Sequence, residues 1–153
     1  MTDMSNIESI LDTRGVYVST TSGVSMMPML RHRRDTIVVM KAGRRLKKYD
    51  VALYRRGEEY VLHRVIKVLP DSYVIRGDNC IAKEYGITDA DVIGVLVEFY
   101  RGEKRINMDK RSYRAYSVLI CALHPFVSLA LRTKLFFKRA FGKKQKVDST
   151  EKI

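Results

Sequence analysis

The chain has 153 residues, 46% of them hydrophobic, enough to bury the core of one domain and carry a modest appendage. Its formal net charge of +12 predicts an anionic partner or surface, without choosing between nucleic acid and a membrane leaflet. Cys80 and Cys121 lie far apart and form no CxxC pair, so neither a metal site nor a disulfide is expected.

Residues 3–13 are predicted to form a short helix. Ser5 is placed to cap it, Glu8 completes a capping box, and Ile7, Ile10 and Leu11 share one face. Gly15 ends it. The opening stretch carries acidic residues and no long apolar run, unlike a secretory signal or a membrane anchor. The expected location is cytoplasmic or peripheral to a membrane.

Residues 16–107 read as mostly β. The runs VYVST, DTIVVMK, DVALYRR, EYVLHRVIKVL, SYVIRGD and DVIGVLVEFY are β-branched and short, with turn material such as KAGRR and RRGEE between them. That spacing predicts a compact antiparallel barrel or sandwich. Residues 108–142 change character. Ala115 to Leu131 contains no charged residue, and Arg111, Arg114, Arg132, Lys134, Lys138 and Arg139 flank it. Pro125 is expected to start a second helix or kink a single one. Residues 143–153 are polar and read as a disordered tail.

Three segments can carry chemistry. In Gly23-Val24-Ser25-Met26-Met27-Pro28-Met29-Leu30, Ser25 sits on a turn that Gly23 tightens and Pro28 stiffens. Its backbone N–H is a candidate donor to an oxyanion. In Tyr60-Val61-Leu62-His63-Arg64-Val65-Ile66, His63 lies inside a strand with apolar neighbours, and a neutral imidazole can take a hydroxyl proton. In Gly77-Asp78-Asn79, Asp78 ends a strand and is the candidate to orient the imidazole. Taken singly, each segment also reads as ordinary structure. His32, in RHRR, reads as part of a solvated basic run, His124 as a helix boundary, and Arg64 as either a neighbour of the site or a surface charge.

In this order and at these separations the segments resemble the type I signal peptidases and their LexA-like relatives. The pattern GxSMxPxL matches at Gly23, Ser25, Met26, Pro28 and Leu30, HRV at His63, Arg64 and Val65, and GDN at Gly77, Asp78 and Asn79. The resemblance spans about residues 16–100. A His rather than a Lys at the base position looks like the subgroup of the endoplasmic reticulum, archaea and some Gram-positive bacteria. It implies a mostly β catalytic core of this type; the short N-terminal helix before it and the helical segment after it lie outside the resemblance. It also implies a Ser25–His63 pair oriented by Asp78, a substrate groove at Gly23, Ser25, Met26 and Pro28, hydrolysis after small residues, and no cofactor or metal.

The sequence departs from the family at four points. No anchor precedes the Ser motif, Arg34-Asp35 replaces a Gly-Asp pair, and Gly23 supplies no hydroxyl two residues before Ser25. Where relatives often carry a second Asp after GDN, Glu84 is the nearest acid, followed by Asp89 and Asp91. The expected substrate is a leader or precursor peptide lying extended along a strand edge. Two rivals keep the fold: a dedicated or self-cleaving maturation peptidase, and a non-catalytic basic binding module. No helix-turn-helix or aromatic RNA-binding motif supports nucleic acid as partner. The segment after residue 110 is expected to lie on an anionic membrane surface or to pack on the β core.

Overall fold

The computed structural model describes residues 4–141. Strand outweighs helix, 38% against 27%, as the alternating runs predict. In chain order the elements are α1 (Met4–Arg14), β1 (Val16–Thr20), β2 (Asp35–Lys41), β3 (Val51–Arg56), β4 (Glu59–Val68), β5 (Tyr73–Arg76), β6 (Glu84–Ile87), β7 (Val92–Arg101), β8 (Lys104–Asn107), α2 (Arg111–Ala122) and α3 (His124–Phe141). The helix read at residues 3–13 is therefore present as α1, but Ser5 lies inside it rather than before it. The tail read at 143–153 lies outside the described residues.

The strands form one antiparallel sheet in the order β1-β2-β7-β3-β4-β5-β6, with β8 pairing only β7. β7 joins β2 to β3, and Gly94 makes that junction possible. A Cβ at Gly94 would lie 2.6 Å from Val39 Cγ1 and 2.9 Å from Met40 O, so the chains pass too closely for any side chain. The sheet carries an apolar cluster on each face. One contains Leu11, Met26, Met29, Leu30, Val39 and Phe99; the other gathers Leu46, Ala52, Tyr54, Val65, Tyr73 and Ile75. β3, buried from Val51 to Tyr54, contributes to both.

The flanking helices differ in attachment. α1 buries Leu11 in the first cluster, and Tyr60 on β4 donates to Glu8 Oε1 at 2.6 Å. α2 buries Tyr113 in the same cluster, and its Ser117 Oγ accepts from Arg64 Nη1 at 2.8 Å. Both helices thus belong to the folded unit that the sequence divides at residues 15 and 108. Only α3 stands away from the β core: after His124 its side chains are exposed or half-exposed as far as Arg139.

Candidate active site

Ser25 lies on the long β1–β2 loop, and backbone bonds fold that loop into consecutive turns. Met27 N donates to Val24 O at 3.2 Å and Leu30 N to Met26 O at 3.0 Å. Met26, Met29 and Leu30 anchor the turns in the core, leaving Ser25 between the exposed Val24 and the buried Met26. The Met27–Pro28 peptide is cis, and Pro28 and Met27 are both exposed. Gly23 has a φ of +85°, yet a Cβ there would meet nothing within 4 Å. Its role is to supply the left-handed backbone of the turn. The base of the loop is closed by Asp35, which is fully buried and accepts from Arg31 N, Nε and Nη2 and from Arg101 Nη2. Burial pushes its carboxyl up, but the bonds from Arg31 and Arg101 prevail and hold it below its ordinary value. His32, exposed as expected, accepts from Gly23 N at 2.8 Å and so braces the loop from outside.

The GDN turn meets this loop from the other side. Asn79 N donates to Ser25 O at 2.7 Å, and Asn79 Nδ2 to Val24 O at 3.1 Å. A Cβ at Gly77 would lie 2.7 Å from Ser25 O, 2.8 Å from Cys80 Sγ and 3.0 Å from His63 Cδ2. The Ser25 carbonyl and the His63 ring therefore both border one glycine.

His63 is 5% exposed. Its Nδ1 lies 3.0 Å from Glu84 Oε1 and 3.2 Å from Tyr54 OH. A carboxylate only accepts, so Nδ1 carries the proton and Nε2 keeps a lone pair. That Nε2 has no partner among the described residues and is not sealed from solvent. It neighbours Cδ2, the ring atom that borders Gly77. Burial lowers the His63 pKa below its ordinary value against the opposing pull of Glu84, so the ring is neutral at pH 7. Burial, then the Glu84 carboxylate, push the Tyr54 phenol well up, and it stays protonated.

Asp78 does not orient His63. It is 4% exposed and binds Arg64 through two parallel bonds, Nε to Oδ1 at 2.8 Å and Nη2 to Oδ2 at 2.7 Å. Arg64, itself fully buried, also reaches Tyr49 O, Ser117 Oγ and Met29 Sδ. Successive residues of a strand face opposite sides of the sheet, so His63 and Arg64 address different partners. The guanidinium takes Asp78 on one side; Glu84, at the start of β6 opposite Ile75, reaches the imidazole on the other. Glu84 is the acid that the sequence offers only as a second candidate. Asp89 and Asp91 stay away from the ring: Asp89 binds Tyr73 and Arg45, and Asp91 caps Thr88.

Ser25 Oγ and the Ser25 amide also lack partners among the described residues, which leaves a hydroxyl and a backbone N–H donor unengaged. Ser25 and Met26 open onto a groove of about 680 Å³. One wall is β1, the end strand of the sheet, through Tyr17, Ser19 and Thr20; the other is the β3–β4 hairpin from Arg56 to Leu62. Gly23 lines the groove, but Pro28 does not: it borders a separate apolar cavity beside Phe99 and Tyr116. His63 does not line the groove either, lying instead on the Gly77 side of the serine loop. Sequence reasoning missed Asn79 and Tyr54 as site residues. Asn79 was legible as the last letter of GDN; Tyr54 carried no signal beyond strand alternation.

Among the described residues no group of three His, Cys, Asp or Glu side chains is placed to hold a metal ion. No family model and no curated protein matches the chain.

Proposed function

We propose that this chain is a serine endopeptidase of the signal-peptidase type, with Ser25 as nucleophile, His63 as general base and Glu84 as the carboxylate that orients it. One observation carries the reading: Nδ1 of the buried His63 lies 3.0 Å from Glu84 Oε1, while its Cδ2 and the Ser25 carbonyl both border Gly77. Ser25 Oγ attacks the scissile carbonyl and its proton passes to Nε2. The Ser25 amide donates to the oxyanion that forms. On collapse the imidazolium gives its proton to the leaving amine, and an acyl ester remains on Ser25. Water attacks the ester, giving a proton to Nε2, and the carboxylic acid product leaves as Oγ is reprotonated. The Ser25–His63 hydrogen bond is made when substrate seats, since such bonds commonly tighten only in the substrate complex. An extended peptide beside the outer edge of β1 would place its carbonyl at Ser25.

The test is cleavage of a peptide library rich in Ala and Gly, read by mass spectrometry. Wild type should cut after small residues, and Ser25→Ala and His63→Ala should not. Equal turnover by all three proteins would overturn the assignment.

A further inference from the structure

α3 carries a face that the fold leaves uncovered. At 100° per residue, positions 126, 129, 130, 133, 136 and 137 lie on one side of the helix. Phe126 is 71% exposed, Leu129 62%, Phe136 69% and Phe137 57%. Lys134 and Lys138 border one flank of this stripe, and Arg132 and Arg139 border the other. From Lys110 to Val147 the chain contains no Asp or Glu.

We infer that α3 lies in the plane of an anionic lipid surface, with its apolar stripe among the acyl chains and its bases at the phosphates. Charge selects this occupant. A second copy would bring the same uncompensated cations against these, whereas an acidic leaflet offers both opposite charge and an apolar interior. Long basic side chains on the flanks reach outward to head groups while their stems cover the apolar boundary. Nucleic acid would pair the bases but leave the exposed Phe126 and Leu129 in water.

The rest of the fold favours lying on the membrane over crossing it. Among the described residues no single helix is long and apolar enough to span. α2 and α3 are long and apolar enough only as a pair, bent by 54°, and α2 is held to the β core through Tyr113 and the Arg64–Ser117 bond. The start of α3 is fixed as well: His124 Nε2 donates to Cys80 O at 2.8 Å, immediately after the GDN turn. Docking of α3 therefore brings the turn that holds Ser25 close to the lipid. If the proposed peptidase reading holds, the bonds it cuts lie near a membrane surface.

The test is co-sedimentation of the full chain with vesicles of phosphatidylcholine alone or with about a third phosphatidylserine, at two salt concentrations. The wild type should bind the acidic vesicles at least tenfold more tightly than the neutral ones. Phe126→Ser with Phe136→Ser, and separately Arg132→Gln with Lys138→Gln, should each weaken binding at least tenfold while leaving thermal unfolding unchanged. Ser25→Ala should bind like wild type, so loss of peptidase activity and loss of docking read out separately. Equal binding to both vesicle types, or full binding by the Phe variant, would overturn the inference. So would salt-dependent binding to a DNA duplex that survives the Phe substitutions while vesicle binding is absent.

Discussion

Replacing Glu84 by Gln keeps the size of the side chain and removes its charge, which isolates the carboxylate's part in positioning His63. Glu84 Oε1 lies 3.0 Å from Nδ1, and in the proposed mechanism the ring becomes an imidazolium as Ser25 attacks. A hydrogen bond to a charged group is worth about 1.5–3 kcal/mol. At about 1.4 kcal/mol per tenfold, its loss should lower kcat by roughly 10- to 150-fold with a smaller effect on KM. The pH dependence gives a second, independent readout. Activity requires neutral His63 and so falls as pH drops through its pKa. Burial lowers that pKa and Glu84 raises it, so Glu84→Gln should move the acid limb of kcat/KM to lower pH. Titration of the His63 Cε1 proton by NMR should show the same downward shift without any substrate. An unmoved titration, or a kcat equal to wild type, would refute the assignment of Glu84 as the orienting acid.

Asp78 should behave differently. Asp78→Ala strands the buried Arg64 guanidinium and should cost about 3–5 kcal/mol of folding stability, measured by urea unfolding. Gly77→Ala drives a methyl to 2.7 Å from Ser25 O and should lower stability by about 1–3 kcal/mol, with peptidase activity falling further because the serine loop and His63 are pushed apart. Gly94→Ala, which meets Val39 and Met40 O, should lose comparable stability while the fraction that remains folded keeps its activity, as a thermal melt and a peptide assay will show. His63 and His124 are both lowered by burial, so the unfolded chain takes up protons first on acidification. The melting temperature should therefore hold steady above pH 7 and decline as pH falls below about 6.5, the ordinary histidine value. A His63→Gln, His124→Gln double variant should decline less over the same range.

Six strands were legible as β-branched runs, because side chains that alternate between two sheet faces leave a period of two in the sequence. β6 and β8, two of the three four-residue strands, were not. β6 (EYGI) contains glycine and an acid, and β8 (KRIN) is half basic; each is a strand only because β5 or β7 offers it a hydrogen-bonding edge. Ser25 and His63 were likewise visible from residue type and local setting, as was the uncharged, base-flanked stretch that became α2 and α3. Whether that stretch packs or stands free was not, since it depends on which side chains find the core. Tyr113 and Ser117 do; Phe126 and Phe136 do not.

The identity of the acid beside His63 belonged wholly to the tertiary structure. Asp78, Glu84, Asp89 and Asp91 are equivalent as carboxylates, and nothing local ranks them. The choice follows from two long-range facts: the β5–β6 register that sets Glu84 opposite Ile75, and the buried Arg64 that claims Asp78 first. Sequence fixes which groups are available and which way alternate side chains point. Only the assembled sheet decides which distant partner each one meets, because that depends on pairing register and on competition for a single buried charge.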